Sequence, residues 1–167
     1  MGILAPGGIA HLMAKTISQM PEIECCAVGS RSKERAEDFA RQWNFARAYG
    51  SYEELAADPE VQLIYVASPH SHHAEHVTLC LNHGNAVLCE KAFTATAGQA
   101  RAIVALTRER NVPLAEAIWT RYLPLAQTIR SLVDDGAIGI PFLLPPHPCY
   151  ALVPCPPRTA PSLPRPP

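Results

Sequence analysis

Short apolar runs of β type alternate along the first 140 residues with longer stretches whose apolar positions recur every three or four residues, the pattern of a parallel sheet covered by helices. Residues 2–5 predict a strand stub, after which Ile9, Leu12, Met13, Ile17 and Met20 recur at helical spacing. Residues 23–28 predict a second strand, residues 32–43 a second helix and residues 47–49 a brief third strand. A short helix follows, opened by the capping-box pair Ser51 and Glu54. The run LIYVAS, residues 63–68, is apolar without alternation, as a strand buried on both faces requires, and predicts the central strand. Next come a helix from about Ser71 to Gly84 and a strand over 86–89. A helix opened by Thr96 and Gln99 carries Ala100, Ile103, Val104 and Leu106. A strand over 113–117 and a last helix marked by Leu125, Ile129, Leu132 and Val133, stopping at Gly136, complete the series. The expected fold class is α/β, a doubly wound parallel sheet whose ligands lie outside the carboxyl ends of its strands.

Composition breaks the chain in two. Eleven of the 17 prolines fall in residues 141–167, which contain no Gly, Asp or Glu. Proline can supply neither ladder nor helix hydrogen bonds, so the expected organisation is a domain over residues 1–140 and an extended or disordered tail over 141–167. Within the tail, RTAPSLP has the spacing of a basic PxxP ligand, a spacing that arises easily at this proline density. A net charge of −1 gives no field to attract a polyanion, and no apolar run reaches membrane-spanning length, so neither nucleic acid nor membrane is an expected partner. Without an N-terminal leader pattern, a cytoplasmic location is the expectation. The six cysteines form no CxxC pair and read as reduced thiols.

Candidate chemistry sits in the turns after the strands. APGGIA, residues 5–10, precedes the first helix: Gly7 suits the close approach of a pyrophosphate, Ala10 suits helix packing, and Gly8 and Ile9 open the helix whose amides face such a group. Ala5 takes the place of the usual first glycine, and Pro6 predicts an extended conformation for it. After the second strand, GSRSK holds no acid for ribose hydroxyls; Ser30, Arg31 and Lys33 instead offer donors and positive charge, which favours NADP over NAD. The bland alternative has Ser32 capping the helix and the basic side chains facing water. SPHSHHAEH, residues 68–76, reads as a turn over the cofactor with Ser71 as cap; His73, His76 and Cys80 share a helical face, but no further ligand completes a zinc site, and no metal is expected. Lys91, after the strand over 86–89, suits holding a substrate hydroxyl, although a lone strand-end lysine is more often plain surface.

Taken in order, GILAPGGIA, SRSKERAEDFA, YGSYEELAADPEV, VASPHSHHAEH, VLCEKA and EAIWTRYLP resemble the turns of the Gfo/Idh/MocA oxidoreductase family over about residues 1–140. AYGSYEEL, VLCEK and EAIWTR are most similar to the branch of dihydrodiol and NADP-dependent D-xylose dehydrogenases. The resemblance implies a Rossmann domain followed by a second, sheet-containing domain, and hydride transfer between a nicotinamide and a sugar or diol. It implies Lys91 as the catalytic lysine with Glu90 beside it, and Ser30 and Arg31 at the NADP phosphate. Ser68, His70 and His73 would lie near the cofactor, with Trp119 and Arg121 bordering nicotinamide and substrate. The chain departs from the family at Ala5 and at Ala92 in place of the usual proline, and the expectation from its length is that the second domain, with which the family's sheet for homo-oligomerisation is associated, is missing.

Three functions follow for comparison: an NADP-dependent oxidoreductase, a nucleotide-binding module without turnover, and a truncated product whose proline-rich end is read out of frame.

Overall fold

A computed structural model describes residues 1–137. Residues Met1–Arg121 form one unit, built on a six-stranded parallel sheet. Its strands are β1 (Gly2–Leu4), β2 (Ala27–Gly29), β3 (Arg47–Tyr49), β4 (Leu63–Val66), β5 (Ala86–Cys89) and β6 (Leu114–Glu116). Between them run α1 (Gly8–Ile17), α2 (Lys33–Trp43), α3 (Tyr52–Ala56), α4 (His73–Asn82) and α5 (Ala97–Arg110). The spatial order is β3-β2-β1-β4-β5-β6. Chain direction across the sheet therefore reverses between β1 and β4, the switch point at which such sheets open a crevice.

Alternation along the strands builds two cores. In β1, Leu4 faces α3, α4 and α5 while Ile3 faces α1 and α2; in β4, Ile64 and Val66 take the first side and Tyr65 the second. On the first side Leu55, Val77, Leu81, Val87 and Ile103 close the layer, and on the second Ala10, Ala14, Ile17, Val28 and Phe39 do so. All of these are buried, which confirms β4 as a strand covered on both faces. Gly29 is glycine because of this packing: a Cβ there would stand 2.9 Å from the Leu55 Cβ. Cys26, Cys80 and Cys89 are buried free thiols, and burial pushes Cys80 and Cys89 up to about 12, so both are inert at neutral pH.

Several boundaries differ from those expected. The second strand begins at Ala27 rather than residue 23, because the Ile23 amide is taken by the Met20 carbonyl in a turn. Ser71 does not cap α4: a 3-10 turn, His70–His72, intervenes, and Ser71 Oγ pairs with His72 Nδ1. The Thr96–Gln99 capping box is complete. At Ser51 only half of one forms, since Glu54 reaches the Gly50 amide instead of the cap's own. Asn44 and Asn111 close α2 and α5 in the left-handed conformation that asparagine tolerates.

Beyond Arg121 the described part of the second unit contains α6 (Pro124–Asp134), with proline at the start and Leu125, Ile129 and Leu132 in one stripe. The proline-rich residues 141–167, with their PxxP spacing, Cys149 and Cys155, lie outside the described residues. Among the described residues no helix is long and apolar enough to cross a membrane.

The outer strand β3 is tied to the loop before β4 by charge. Arg47 donates from Nε to Asp58 Oδ2 at 2.8 Å and from Nη1 to Glu60 Oε2 at 2.6 Å, while the Tyr49 hydroxyl donates to Asp58 Oδ2 at 3.0 Å. Burial pushes the Asp58 carboxyl up, but the Glu60 amide, the Tyr49 hydroxyl and Arg47 outweigh it and hold the group below the ordinary value of 3.8. A folded-state pKa below the unfolded one stabilises the protein above the unfolded value, and that stability is lost as pH falls through the folded value. Denaturant titrations at decreasing pH are therefore expected to show a steep acid loss in the wild type. In Arg47→Met the loss is shallower and starts from lower stability at neutral pH.

Candidate functional site

The reversal of direction between β1 and β4 leaves a groove of about 700 Å³ at the carboxyl edge of the sheet. Ala5, Pro6 and Gly7 line it from the first turn, Ser30, Arg31, Ser32 and Arg35 from the second, and Ala67, Ser68 and Pro69 from the turn after β4, with Tyr52 at one side. A second depression of about 500 Å³ shares Arg31 and Tyr52 with the groove and is continued by His72, Glu75 and His76.

The first turn is shaped by one backbone conformation. Ala5 has φ +67°, the left-handed region, and not the extended one expected from the following proline. The Ala5 amide bonds the Gly29 carbonyl at 3.0 Å and its carbonyl accepts the Gly7 amide at 2.8 Å, so the turn is pinned on both sides. Tertiary hydrogen bonding has overridden the local preference. Gly7 is the N-cap of α1 in extended backbone, and a Cβ on Gly7 or Gly8 would meet nothing within 4 Å. What glycine contributes here is open space against the backbone. Gly8 and Ile9 form the first turn of α1, whose amides have no intrahelical partner and face an anion naturally.

In the second turn the helix cap expected at Ser32 is present, and Ser30, Arg31 and Ser32 line the groove. Ser32 Oγ caps α2 by accepting from the Arg35 amide, and Ser32 also lines the groove. Ser30 is buried, with its oxygen accepting from the Ser32 amide. Lys33 is drawn away: its ammonium donates to the Ala48 carbonyl beside the Tyr49 ring. Arg35, one helical turn on from Arg31, joins it at the groove instead, a residue that a reading confined to the turn missed. None of the side chains lining this groove is acidic.

After β4, Ser68 lines the groove with its hydroxyl against His76 Nδ1 at 2.8 Å. Burial holds His76 below the ordinary histidine value, and the ring is neutral at pH 7; it lies stacked with His72 and edge-on to Tyr52. His70 is exposed on the 3-10 turn. His73 is fully buried between two turns, with Nε2 2.8 Å from the Ser68 carbonyl and Nδ1 2.8 Å from the Ala92 carbonyl; a neutral ring donates to one of the two. Among the described residues no group of three or more His, Cys, Asp or Glu side chains is arranged to hold a metal.

Lys91 is exposed in the turn after β5. Glu90 directs its carboxylate to the Tyr65 hydroxyl and the Lys91 amide, and the next amide but one, that of Phe93, donates to Glu116 Oε1 at 2.8 Å. Trp119 and Arg121 lie on a short 3-10 turn, Trp119–Tyr122, both exposed. Gly7, Ser30, Arg31 and Ser68 thus converge on one groove, whereas Lys91, Trp119 and Arg121 are not among its lining residues.

A phosphorylated nucleotide fits these features: an open backbone turn, free helix amides and two arginines in a groove whose own lining holds no acid, Glu53 and Glu75 lining the depression beside it. Fold and groove together define a dinucleotide-binding α/β domain of Rossmann type. Residues 2–117 match the family model described as the Gfo/Idh/MocA oxidoreductase family, NAD-binding Rossmann fold, and the chain belongs to that family. It is 46% identical over 153 residues to the D-xylose 1-dehydrogenase (NADP(+)) of Hypocrea jecorina, covering 84% of this chain and 39% of that protein. It is 44% identical over 140 residues to the trans-1,2-dihydrobenzene-1,2-diol dehydrogenase of Mus musculus, covering 83% and 42%. Among solved structures, the 3-ketoreductase KijD10 of Actinomadura kijaniata, in complex with TDP-benzene and NADP, superposes with a TM-score of 0.75 at 29% identity, over 83% of this chain and 44% of that one. The chain therefore spans about two fifths of the length of these relatives.

Left-handed backbone costs a non-glycine residue about 1–2 kcal/mol. Ala5→Gly removes that cost, and the extra freedom of glycine in the unfolded chain cancels roughly half of the gain. The variant is expected to unfold thermally at a higher midpoint than the wild type, with an unchanged circular dichroism spectrum.

Proposed function

We propose that this chain binds NADP(H) in the groove between β1 and β4 and belongs to an enzyme that moves a hydride between the nicotinamide and a hydroxyl or carbonyl of a sugar or diol. The observation that supports the cofactor is the pairing of Arg31 and Arg35 at the second turn, beside Ser30, in a groove with no lining acid. Two guanidiniums match a 2′-phosphate bidentately, and a free ribose 2′-hydroxyl meets no acceptor carboxylate there. The open face of Gly7 and the first amides of α1 suit the pyrophosphate. The names of the relatives, a D-xylose dehydrogenase and a dihydrodiol dehydrogenase, support the substrate class.

When bound, the nicotinamide supplies a hydride acceptor or donor. Lys91, at the end of β5, holds the reacting oxygen by hydrogen bonding from its side chain, the role that its place in the CEKA turn supports. Glu90, Trp119 and Arg121 serve the same end of the site, and Ser68 and His70 the turn over the cofactor. Nucleic acid and membrane play no part in this reading.

A second reading, nucleotide binding without turnover, is favoured by the position of Lys91, Trp119 and Arg121, none of which lines the groove. Fluorescence titration separates the cofactor question from the catalytic one. NADPH is expected to bind more tightly than NADH, and Arg31→Ala with Arg35→Ala to weaken NADPH about ten- to hundredfold while leaving NADH nearly unchanged. Equal affinities in the wild type overturn the NADP assignment. NADPH binding with no reduction of NADP by D-xylose or a dihydrodiol selects the second reading.

A further inference from the structure

Three side chains lie against the backbone of residues 91–93, one from the preceding residue and two from distant segments. Glu90 Oε2 accepts from the Lys91 amide at 3.2 Å, the His73 ring faces the Ala92 carbonyl at 2.8 Å, and Glu116 Oε1 accepts from the Phe93 amide at 2.8 Å. Of these three holders Glu90 sits nearest the lysine, and its carboxylate is itself anchored. The Tyr65 hydroxyl donates to Glu90 Oε1 in a short hydrogen bond.

Strand geometry makes this contact. Tyr65 in β4 pairs with Leu88 in β5, and Glu90 lies two residues beyond Leu88, on the same face of the sheet. Tyr65 is 1% exposed and packs in the core on the side of α1 and α2. A phenol so placed needs a partner, because an unsatisfied buried donor is costly, and Glu90 is the partner it has. Burial first, and the adjacent carboxylate second, push the phenol's ionisation well above its ordinary range, so it remains a donor. The carboxylate in turn is fixed at both oxygens, one by a buried phenol of β4 and the other by the amide that begins the lysine turn. Neither the groove nor the depression beside it is lined by Tyr65.

We propose that Tyr65 is a positioning residue for Lys91, acting through the Glu90 carboxylate on the Lys91 backbone amide. No proton is transferred in this role. It rests on the reading of Lys91 as the residue at the reacting oxygen, and it adds a determinant buried in the middle of a strand, outside every turn that carries the family's chemistry.

The test uses the chain as it stands, free of nucleotide, and reads the Lys91 amide by NMR in Tyr65→Phe, which keeps the ring and removes the hydroxyl. The Lys91 amide is expected to exchange with solvent about tenfold faster, and its proton resonance to move upfield as the carboxylate bond weakens. The Phe93 amide, held by Glu116, keeps its rate. Glu90→Gln is expected to reproduce the change at Lys91 through the other partner, and it decides the matter if Tyr65→Phe does not fold. Because Tyr65 lines no part of the groove, its variant should bind NADPH within about twofold of the wild type. An unaltered Lys91 amide in whichever variant folds overturns the proposal. Where turnover is measurable, kcat falls about tenfold in Tyr65→Phe with KM for NADP unchanged, and an unchanged kcat likewise overturns it. A shifted Lys91 amide in a chain whose wild type shows no turnover sustains the positioning role and counts against the enzyme reading alone.

Discussion

Parallel pairing of β1 with β4, while β2 and β5 extend the sheet in opposite directions, is the constraint from which the rest of the molecule follows. Crossovers on either side of this pair go to opposite faces of the sheet, so the turns after β1 and β4 separate and leave space between them. Everything that meets in the groove does so because it follows a strand adjoining that space. The two cores exist for the same reason, one for each face, and β4 is fully covered because it stands beside the switch point. Even Tyr65 depends on it: only a strand with β5 alongside can bring a core phenol under the end of its neighbour.

The groove joins two kinds of recognition that need different physics. At the β1 turn the protein presents backbone, with amides at a helix start and a glycine that leaves them accessible. At the β2 turn it presents side-chain charge from Arg31 and Arg35. Ala5 shows how strongly the first surface is determined by tertiary contacts, since its amide and carbonyl are both committed and it adopts a positive φ in spite of its Cβ and the proline that follows. At the far side, residues 91–93 gain their order from His73, Glu90 and Glu116. A histidine that would draw attention as a ligand lies with both ring nitrogens against backbone carbonyls, which is a structural use of a residue in a functional neighbourhood.

Much of the fold was legible in the chain because its signals are local. LIYVAS reads as a central strand from its unbroken apolar run, the Thr96 and Gln99 pair marks a helix start, and the turns carry glycine, serine and arginine at recognisable places. The departures arose where the packed surroundings or a local turn geometry decided the outcome. Lys33 offers its charge to the Ala48 carbonyl rather than to the groove, Arg35 reaches the groove from within a helix, and Ser71 loses its capping role to a 3-10 turn. Periodicity cannot report such choices, because each is made by the geometry around the residue once the layers have packed.

The order of apolar and polar residues by itself determined the alternation of strands and helices, the faces they bury and the turns in which chemistry is concentrated, since burial of periodic apolar surface and short-range capping need only neighbours along the chain. Tertiary structure alone decided the left-handed turn at Ala5, the diversion of Lys33 to the Ala48 carbonyl and the anchoring of Glu90 by Tyr65. Each of these joins groups that the sequence separates or a conformation that local sterics disfavour, and becomes the lowest free-energy arrangement only after the sheet has brought its strands together.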